Sequence, residues 1–129
     1  MIDIPARTTN SKINLLVVDD DTELTEFLRD GLERYFSLVA IANSIADAKL
    51  YLSGRVVFHA ILCDYYLPDG NGLELYNWTR SERKITSPFI MISGQTDLTA
   101  RNGQDFTFMA KPFLSTDVLE HLRSVVKMA

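Results

Sequence analysis

Cysteine is nearly absent from this chain of 129 residues: Cys63 stands alone and cannot form an internal disulfide. A disulfide scaffold is therefore excluded, and the low cysteine content suits the reducing cytosol. Long apolar runs are missing too, since stretches such as Leu38 to Ala42 fall far short of the roughly 18 residues that span a membrane. These absences predict a cytoplasmic protein without a membrane segment.

Positive charge is also in deficit. The 13 Lys and Arg residues are outnumbered by 17 Asp and Glu residues, which gives a formal net charge of -4. A basic surface is the usual mark of nucleic-acid binding, so we expect no direct contact between this domain and nucleic acid. The 47% apolar and 23% charged residues are ordinary for a globular protein and exclude a disordered or collagen-like chain.

The length of the chain suits one domain, because domains usually contain about 100–200 residues. The stretch from Met1 to Lys12 is polar, contains Pro5 and lacks the apolar core of a signal peptide. We therefore expect residues 1–12 to form a flexible leader and residues 13–127 to form the folded domain.

Short aliphatic runs alternate with amphipathic helical patterns along the rest of the chain. Runs that are apolar throughout are typical of strands buried on both faces of a sheet. Strands are predicted at residues 13–18, 37–42, 57–63, 88–93 and 106–110. The helical patterns run from a cap at Asp21 or Thr22 to Tyr35, from the cap Ser44 to about Leu52, from Leu73 to Glu82, and from the cap Ser115 to Val126. This alternation predicts an α/β fold, a doubly wound five-stranded parallel sheet with helices on both faces.

The segment between the fourth and fifth predicted strands has only a weak helical pattern. From Gln95 to Gly103 the only apolar side chains are Leu98 and Ala100, and the glycine is a natural helix stop. The other residues favour caps and turns, and a helix this short depends on packing. We therefore expect a short or irregular fourth helix.

Chemically useful side chains follow the predicted strands. Asp19 and Asp20 come after the first strand, Asp64 after the third, Ser93 ends the fourth, and Lys111 follows the fifth. In open α/β sheets, ligands bind beyond the carboxyl ends of the strands. Close carboxylates repel one another unless a cation joins them, and hard oxygen ligands suit Mg²⁺. A metal, a lysine and a hydroxyl together can support phosphoryl transfer, in which a carboxylate can be the acceptor.

Each of these residues taken alone has an ordinary structural explanation. The run from Asp19 to Asp21 could cap the first helix, Asp64 could begin a turn, and Lys111 could be a solvated surface lysine. Their joint occurrence at the ends of the appropriate strands favours one shared site.

The same residues resemble the receiver domain of response regulators in two-component signalling, of the kind that includes the chemotaxis regulator. The likeness extends from about Ile13 to Val126. It is carried by the motifs Leu15 to Asp21, Cys63 to Leu73, Met91 to Gly94 and Met109 to Phe113. The resemblance implies a flavodoxin-like strand order.

The resemblance also implies a role for each acidic residue. Asp64 would accept a phosphoryl group in a Mg²⁺-dependent reaction. The metal ligands would be the carboxylates of Asp19, Asp20 and Asp64 and the backbone carbonyl of Tyr66. The donor would be a phosphohistidine on a sensor histidine kinase or a histidine phosphotransfer protein. The protein would be a switch that catalyses its own phosphorylation and dephosphorylation, not a turnover enzyme.

Other implied roles concern the switch itself. Lys111 would bind the phosphoryl oxygens, Ser93 would move toward the phosphoryl group, and Phe108 would follow as an aromatic switch. The Lys111–Pro112 peptide bond would be cis, as is typical of the family. Tyr66, two residues after the acceptor, and Gln95, two residues after the serine, would modulate the lifetime of the phosphorylated form.

One departure from the family pattern affects the expected assembly. Only 17 residues, 94 to 110, separate Ser93 from Lys111, which is fewer than the family usually has. The missing residues fall in the fourth helix, which contributes to a common dimer face of the family. We therefore expect a monomer or a weak dimer.

Three other classes of protein remain open at this point. A haloacid-dehalogenase-type phosphatase would use Asp19 as its nucleophile, although Glu23 stands where that motif has Thr or Val. A flavodoxin-like cofactor binder would need a loop that binds phosphate, whereas the corresponding loop here is acidic and would repel it. A degenerate receiver would only bind partner proteins and would never be phosphorylated.

Overall fold

The structure is a computed structural model that describes residues 12–94 and 103–126. The strands are β1 (Asn14–Val18), β2 (Leu38–Ala42), β3 (Ala60–Asp64), β4 (Tyr66–Leu67), β5 (Gly70–Asn71), β6 (Phe89–Ser93) and β7 (Thr107–Ala110). The helices are α1 (Thr22–Leu32), α2 (Ile45–Leu52), α3 (Gly72–Ser81) and α4 (Ser115–Val125). A turn of 3-10 helix, Glu33–Tyr35, follows α1.

Five of these strands form one parallel sheet in the order β2-β1-β3-β6-β7. This order confirms the predicted doubly wound sheet with a flavodoxin-like arrangement. The remaining strands, β4 and β5, form a short antiparallel hairpin between β3 and α3. The turn-rich loop that the sequence predicts after the third strand is thus an ordered hairpin.

The sheet separates two hydrophobic layers. Alternate residues of β1 face opposite layers: Leu16 and Val18 pack with α2 and α3, and Leu15 and Val17 pack with α1 and α4. All four side chains have no exposed surface. A strand buried on both faces explains why this run is apolar throughout, and not alternately apolar and polar.

Side chains cap the helices at most of the predicted positions. Asp21 accepts a hydrogen bond from the backbone of Leu24 to cap α1, and Ser44 caps α2. The prediction that Ser115 caps the last helix is wrong. The N-cap is Leu114, and its N–H donates to the carboxylate of Asp117 at 2.8 Å. Because that carboxylate supplies the cap, the serine is already the first residue of the helix.

The third strand begins three residues later than predicted, at Ala60 and not Val57. The Val57 side chain is 66% exposed, and its carbonyl accepts a hydrogen bond from the side chain of Asn14 at 2.8 Å. The other predicted strands agree with the structure within one residue at each end. The carbonyl of Val57 is thus paired with a side chain and not with a neighbouring strand, which an apolar pattern cannot reveal.

Some predictions fall outside the described residues. The short or irregular fourth helix concerns residues 95–103, of which only Gly103 is described. Its φ of 84° lies in the left-handed region that favours glycine. Most of the predicted leader, residues 1–11, is likewise outside. No helix in residues 12–94 or 103–126 is long and apolar enough to cross a membrane.

Candidate functional site

The carboxyl edge of the sheet brings three acidic side chains together. Since β1 and β3 are neighbours in register, the residues that end them or follow them lie side by side. Asp19, Asp20 and Asp64 each offer a carboxylate oxygen within 4.8 Å of the others. Lys111 follows β7, and its Nζ lies 3.5 Å from Asp19 Oδ2 and 3.5 Å from Asp64 Oδ2. We call these four residues the acidic pocket.

The carboxylates of the pocket differ in their exposure. The Asp19 side chain is fully buried, the Asp64 side chain is 11% exposed, and Asp20 is exposed. Burial raises the pKa of Asp19 and of Asp64, and the charge of Asp19 raises the pKa of Asp64 further. The ammonium of Lys111 opposes both shifts. The pocket therefore holds more negative charge than its single lysine offsets.

One oxygen of Asp19 marks where a cation fits. Asp19 Oδ1 accepts a hydrogen bond from the N–H of Asp21 at 3.0 Å. Asp19 Oδ2 is buried and has no hydrogen bond to any described residue, although it lies beside Lys111. Buried polar atoms are usually hydrogen-bonded, so an exception calls for a missing partner such as an ion. Three clustered carboxylates are also the hard oxygen ligands that Mg²⁺ prefers.

Ser93 and Lys111 are brought to the same edge by strand pairing. Ser93 ends β6, which lies between β3 and β7, and it is 1% exposed. The backbone N–H of Lys111 donates to the carbonyl of Ser93 at 2.9 Å. The Lys111–Pro112 peptide bond is cis, as expected. The sheet thus places Ser93, at the end of β6, between the end of β3, which carries Asp64, and the end of β7, which precedes Lys111.

A known protein family matches the stretch of chain that contains these site residues. The family described as Response regulator receiver domain has a model that matches residues 15–123. The chain belongs to this family. It is therefore a receiver domain, the signalling switch of two-component systems, and receiver domains bind Mg²⁺ through an acidic cluster such as this one.

Curated relatives of this receiver domain are transcriptional regulators. It is 31% identical over 119 residues to the uncharacterized transcriptional regulatory protein YvcP of Bacillus subtilis, covering 88% of this chain and 48% of that protein. It is 29% identical to the hydrogenase transcriptional regulatory protein HoxA of Bradyrhizobium diazoefficiens, covering 88% of this chain and 24% of that protein. The chain thus spans a half or less of the length of these relatives.

Solved receiver domains have the same fold. A CheY-like receiver domain protein of Methanospirillum hungatei superposes with a TM-score of 0.77 at 26% identity, covering 87% of this chain and 91% of that one. The non-phosphorylated receiver domain of HemR from Leptospira biflexa gives a TM-score of 0.72 at 28% identity, covering 91% and 96%.

Two further residues of the predicted site lie outside the pocket's core. Tyr66, in β4, is 55% exposed, and its ring contacts that of Tyr65 edge-on at 4.9 Å. Phe108, in β7, is half-buried and packs against the layer that holds α2 and α3. Gln95 lies outside the described residues. The structure thus leaves Tyr66 accessible to solvent and holds Phe108 partly within the core.

The glycine that ends the hairpin after β3 is explained by close packing. The N–H of Gly72 donates to the carbonyl of Tyr65 at 2.7 Å, which folds the hairpin back beside Asp64. A Cβ atom on Gly72 would lie 2.9 Å from the carbonyl oxygen of Asp64 and against the sulfur of Met91. The last residue of the Asp-x-x-x-Pro-x-x-x-Gly motif therefore has no space for a side chain.

Sequence reasoning missed two sets of contacts in the receiver domain. The first surrounds the N-terminus of α2, where Asn43 donates through its side chain to the carbonyl of Asp19 at 3.3 Å. The second joins Tyr76 and Arg80 of α3 to Asp105, which precedes β7. We call these three residues the Tyr76 cluster. Asp105 lies 29 positions from Tyr76 and 25 positions from Arg80 along the chain, so no local pattern could have indicated the cluster.

Proposed function

We propose that Asp64 accepts a phosphoryl group from a phosphohistidine on a sensor histidine kinase or a histidine phosphotransfer protein. The observation that supports this most directly is the placement of its partly open carboxylate 3.5 Å from the Lys111 ammonium, within the cluster of acidic side chains. The ammonium can hold an oxygen of the incoming phosphoryl group while the carboxylate attacks.

We also propose that the reaction depends on Mg²⁺. Three carboxylates and one ammonium leave the pocket with two formal negative charges, which a divalent cation neutralises. The carboxylates of Asp19, Asp20 and Asp64 and the backbone carbonyl of Tyr66 would hold it. When bound, the ion offsets the negative charge that develops on the transferring phosphoryl group.

The transfer step balances without any further reactant. A carboxylate oxygen of Asp64 attacks the phosphorus atom and forms a P–O bond. The P–N bond to the donor histidine breaks, and its electron pair returns to the imidazole nitrogen. In the later hydrolysis, water attacks the phosphorus, the P–O bond to Asp64 breaks, and the free carboxylate is restored with the release of inorganic phosphate.

Switching would follow from the new phosphoryl oxygens. The hydroxyl of Ser93 would move toward the phosphoryl group and Phe108 would follow it into its side of the core. We further propose that residues 13–127 form the functional domain after a leader of residues 1–12. The protein would act in the cytoplasm as a monomer or weak dimer, and this domain would not itself contact nucleic acid.

The burial of the two aspartates favours the receiver reaction over the phosphatase alternative. A phosphatase of the haloacid dehalogenase type would need Asp19 to reach its substrate, but that side chain is fully buried. The Asp64 side chain keeps 11% of its surface exposed and faces the same lysine. A degenerate receiver would be distinguished by experiment, because it would remain unmodified with any phosphodonor.

The test is phosphorylation by a small donor. Acetyl phosphate and Mg²⁺ should add one phosphoryl group, seen by intact-mass measurement, to the wild type and not to Asp64→Asn. Asp105→Asn is the matched control and should be labelled like the wild type. Full labelling of Asp64→Asn would rule out Asp64 as the acceptor, and no labelling of any form would favour the degenerate receiver.

A further inference from the structure

The hairpin after the acceptor strand is held at its tip by a contact with a different helix. Asp69 lies in the turn between β4 and β5. Its Oδ1 accepts a hydrogen bond from the N–H of Ile45 at 2.9 Å, and its Oδ2 accepts one from the N–H of Ala46 at 3.0 Å. These residues begin α2, more than 20 positions earlier in the chain. One carboxylate therefore satisfies two backbone donors that α2 cannot satisfy internally.

The contact between Asp69 and α2 is favourable in charge as well as in geometry. The first turn of a helix carries partial positive charge, which stabilises a carboxylate placed there. Accordingly, the hydrogen bond from Ile45 lowers the pKa of Asp69 below its ordinary value, with a smaller contribution from Ala46. Ser44 separately caps the same helix through the N–H of Asp47 at 3.0 Å. The helix thus has one cap of its own and one from the hairpin.

The neighbouring glycine shows that the hairpin tip is closely packed in this position. Gly70 has a φ of 152°. A Cβ atom there would lie 2.7 Å from Cδ1 of Ile45 and would overlap the carboxylate of Glu74. The tip therefore fits closely between the N-termini of α2 and α3, and the positive φ at this position favours glycine.

The N-terminus of α2 is linked to the other side of the acidic pocket as well. The side chain of Asn43 donates to the carbonyl of Asp19 at 3.3 Å, and its N–H donates to Oδ2 of Asp47 at 3.2 Å. The start of α2 thus joins the loop that carries Asp19 to the hairpin that carries Tyr66. A shift of the hairpin relative to α2 would move the Tyr66 carbonyl relative to the carboxylates.

We propose that Asp69 is a positioning residue, which fixes the hairpin against α2 and so sets the place of the Tyr66 carbonyl relative to Asp19 and Asp64. This inference rests on the proposed Mg²⁺-dependent function. Residues that orient metal ligands typically change metal affinity by about 10–100-fold when they are removed. Asp69 acts through the backbone of its hairpin, so we expect an effect at the lower end of that range.

The experiment compares Asp69→Ala with two control variants of the same helix terminus. Ser44→Ala removes a cap from α2 without touching the hairpin. Asp47→Asn removes a negative charge at the same place but keeps a side-chain oxygen that can accept from the N–H of Asn43. Titration calorimetry with Mg²⁺ alone gives the dissociation constant of each variant, thermal melting without metal gives its stability, and acetyl phosphate gives the phosphorylation rate.

We expect Asp69→Ala to bind Mg²⁺ about tenfold more weakly than the wild type and to be phosphorylated more slowly at the same Mg²⁺ concentration. Ser44→Ala and Asp47→Asn should keep the wild-type dissociation constant within about twofold, even where Ser44→Ala melts as early as Asp69→Ala. Asp69→Asn keeps one acceptor oxygen, so its dissociation constant for Mg²⁺ should lie between those of the wild type and Asp69→Ala. It replaces the alanine variant in the comparison if that variant does not fold.

The inference is wrong if Asp69→Ala, or Asp69→Asn in its place, binds Mg²⁺ like the wild type, or if Ser44→Ala or Asp47→Asn weakens binding equally. These outcomes are distinct from a failure of the proposed function. If the wild type binds Mg²⁺ but is never phosphorylated, the acceptor role of Asp64 fails, and the calorimetric comparison still decides the role of Asp69.

Discussion

The acidic pocket and the Tyr76 cluster both place a carboxylate beside a basic side chain, but with opposite electrostatic results. In the Tyr76 cluster, Asp105 Oδ1 accepts hydrogen bonds from the Tyr76 hydroxyl at 2.7 Å and from Nε and Nη2 of Arg80 at 3.2 and 3.1 Å. The Tyr76 hydroxyl, and then Arg80, lower the pKa of Asp105. In the pocket, burial raises the pKa of Asp19 and of Asp64.

The same fold thus contains carboxylates in two settings, a structural contact and a candidate binding site. The Tyr76 cluster joins α3 to the segment before β7, and one oxygen of its carboxylate accepts three hydrogen bonds, as suits a structural contact. The pocket keeps excess negative charge and a buried oxygen without a hydrogen bond among the described residues. Such an arrangement costs stability in the absence of a cation, and it supplies the attraction for one.

The largest expected effect concerns Mg²⁺ and the pocket. At a hundredfold excess over its dissociation constant, Mg²⁺ should raise the free energy of unfolding of the wild type by about 2.7 kcal/mol. Asp20→Asn should lose most of this gain, because it removes an oxygen ligand, and should be at least as stable as the wild type without metal. Chemical denaturation with and without Mg²⁺ measures both. Asp30→Asn, an exposed change on α1, should keep the full gain; an equal gain in Asp20→Asn would contradict the role of Asp20.

Removal of the lysine should have the next largest effect. Lys111→Met leaves two buried carboxylates without their cation. We expect the free energy of unfolding without metal to fall by about 2 kcal/mol, below the roughly 3–5 kcal/mol of a fully buried pair, because the lysine is partly exposed. Urea denaturation at neutral pH measures the change. An unchanged midpoint would show that Lys111 does not offset the charge of the pocket.

The Tyr76 cluster should contribute less, and independently of metal. Asp105→Ala should lower the free energy of unfolding by about 1 kcal/mol at neutral pH, since the carboxylate is largely exposed and the ion pair is screened. Because folding lowers the pKa of Asp105 from 3.8, its contribution is complete above that value and is lost as the pH falls through the lowered pKa. Melting curves from pH 7 down to acid measure this. A change in the Mg²⁺-induced gain would couple the two regions and contradict the comparison.

The smallest expected effect concerns the two tyrosines that border these regions. Tyr76 is buried and hydrogen-bonded, whereas Tyr66 is exposed and lies two residues after the proposed acceptor, Asp64. The ring of Tyr66 should hinder the in-line approach of water, so Tyr66→Ala should dephosphorylate about threefold faster, equivalent to about 0.6 kcal/mol. Decay of the phosphoprotein at fixed Mg²⁺ measures this, and Tyr66→Phe should decay like the wild type. Equal or slower decay of the alanine variant would contradict the prediction.

The sheet and the pocket could be predicted because their signals are local. An apolar run predicts a strand, and the acidic or basic residue directly after it predicts the chemistry at the end of that strand, as at Val18 and Asp19. Parallel pairing then brings the strand ends to one edge. The Lys111–Pro112 cis bond and the strand order followed from the family resemblance and are confirmed.

The contacts that could not be predicted join residues far apart in sequence. Asp69 reads as an ordinary turn residue, and its hydrogen bonds to α2 depend on how the hairpin packs. The carbonyl of Val57 accepts a hydrogen bond from the side chain of Asn14, and the cap of α4 depends on Asp117 and not on Ser115. Hydrophobic periodicity indicates which face of an element is buried, but not which polar side chain reaches its ends.

Chemical trapping of the phosphorylated wild-type protein tests the central claim most directly. Borohydride reduces an acyl phosphate of aspartate to homoserine, and peptide mass spectrometry then locates the modified residue without any mutation. We predict homoserine at position 64 only when both acetyl phosphate and Mg²⁺ are present. Homoserine at position 19, or at no position under conditions that phosphorylate other receiver domains, would contradict the assignment of Asp64 as the acceptor.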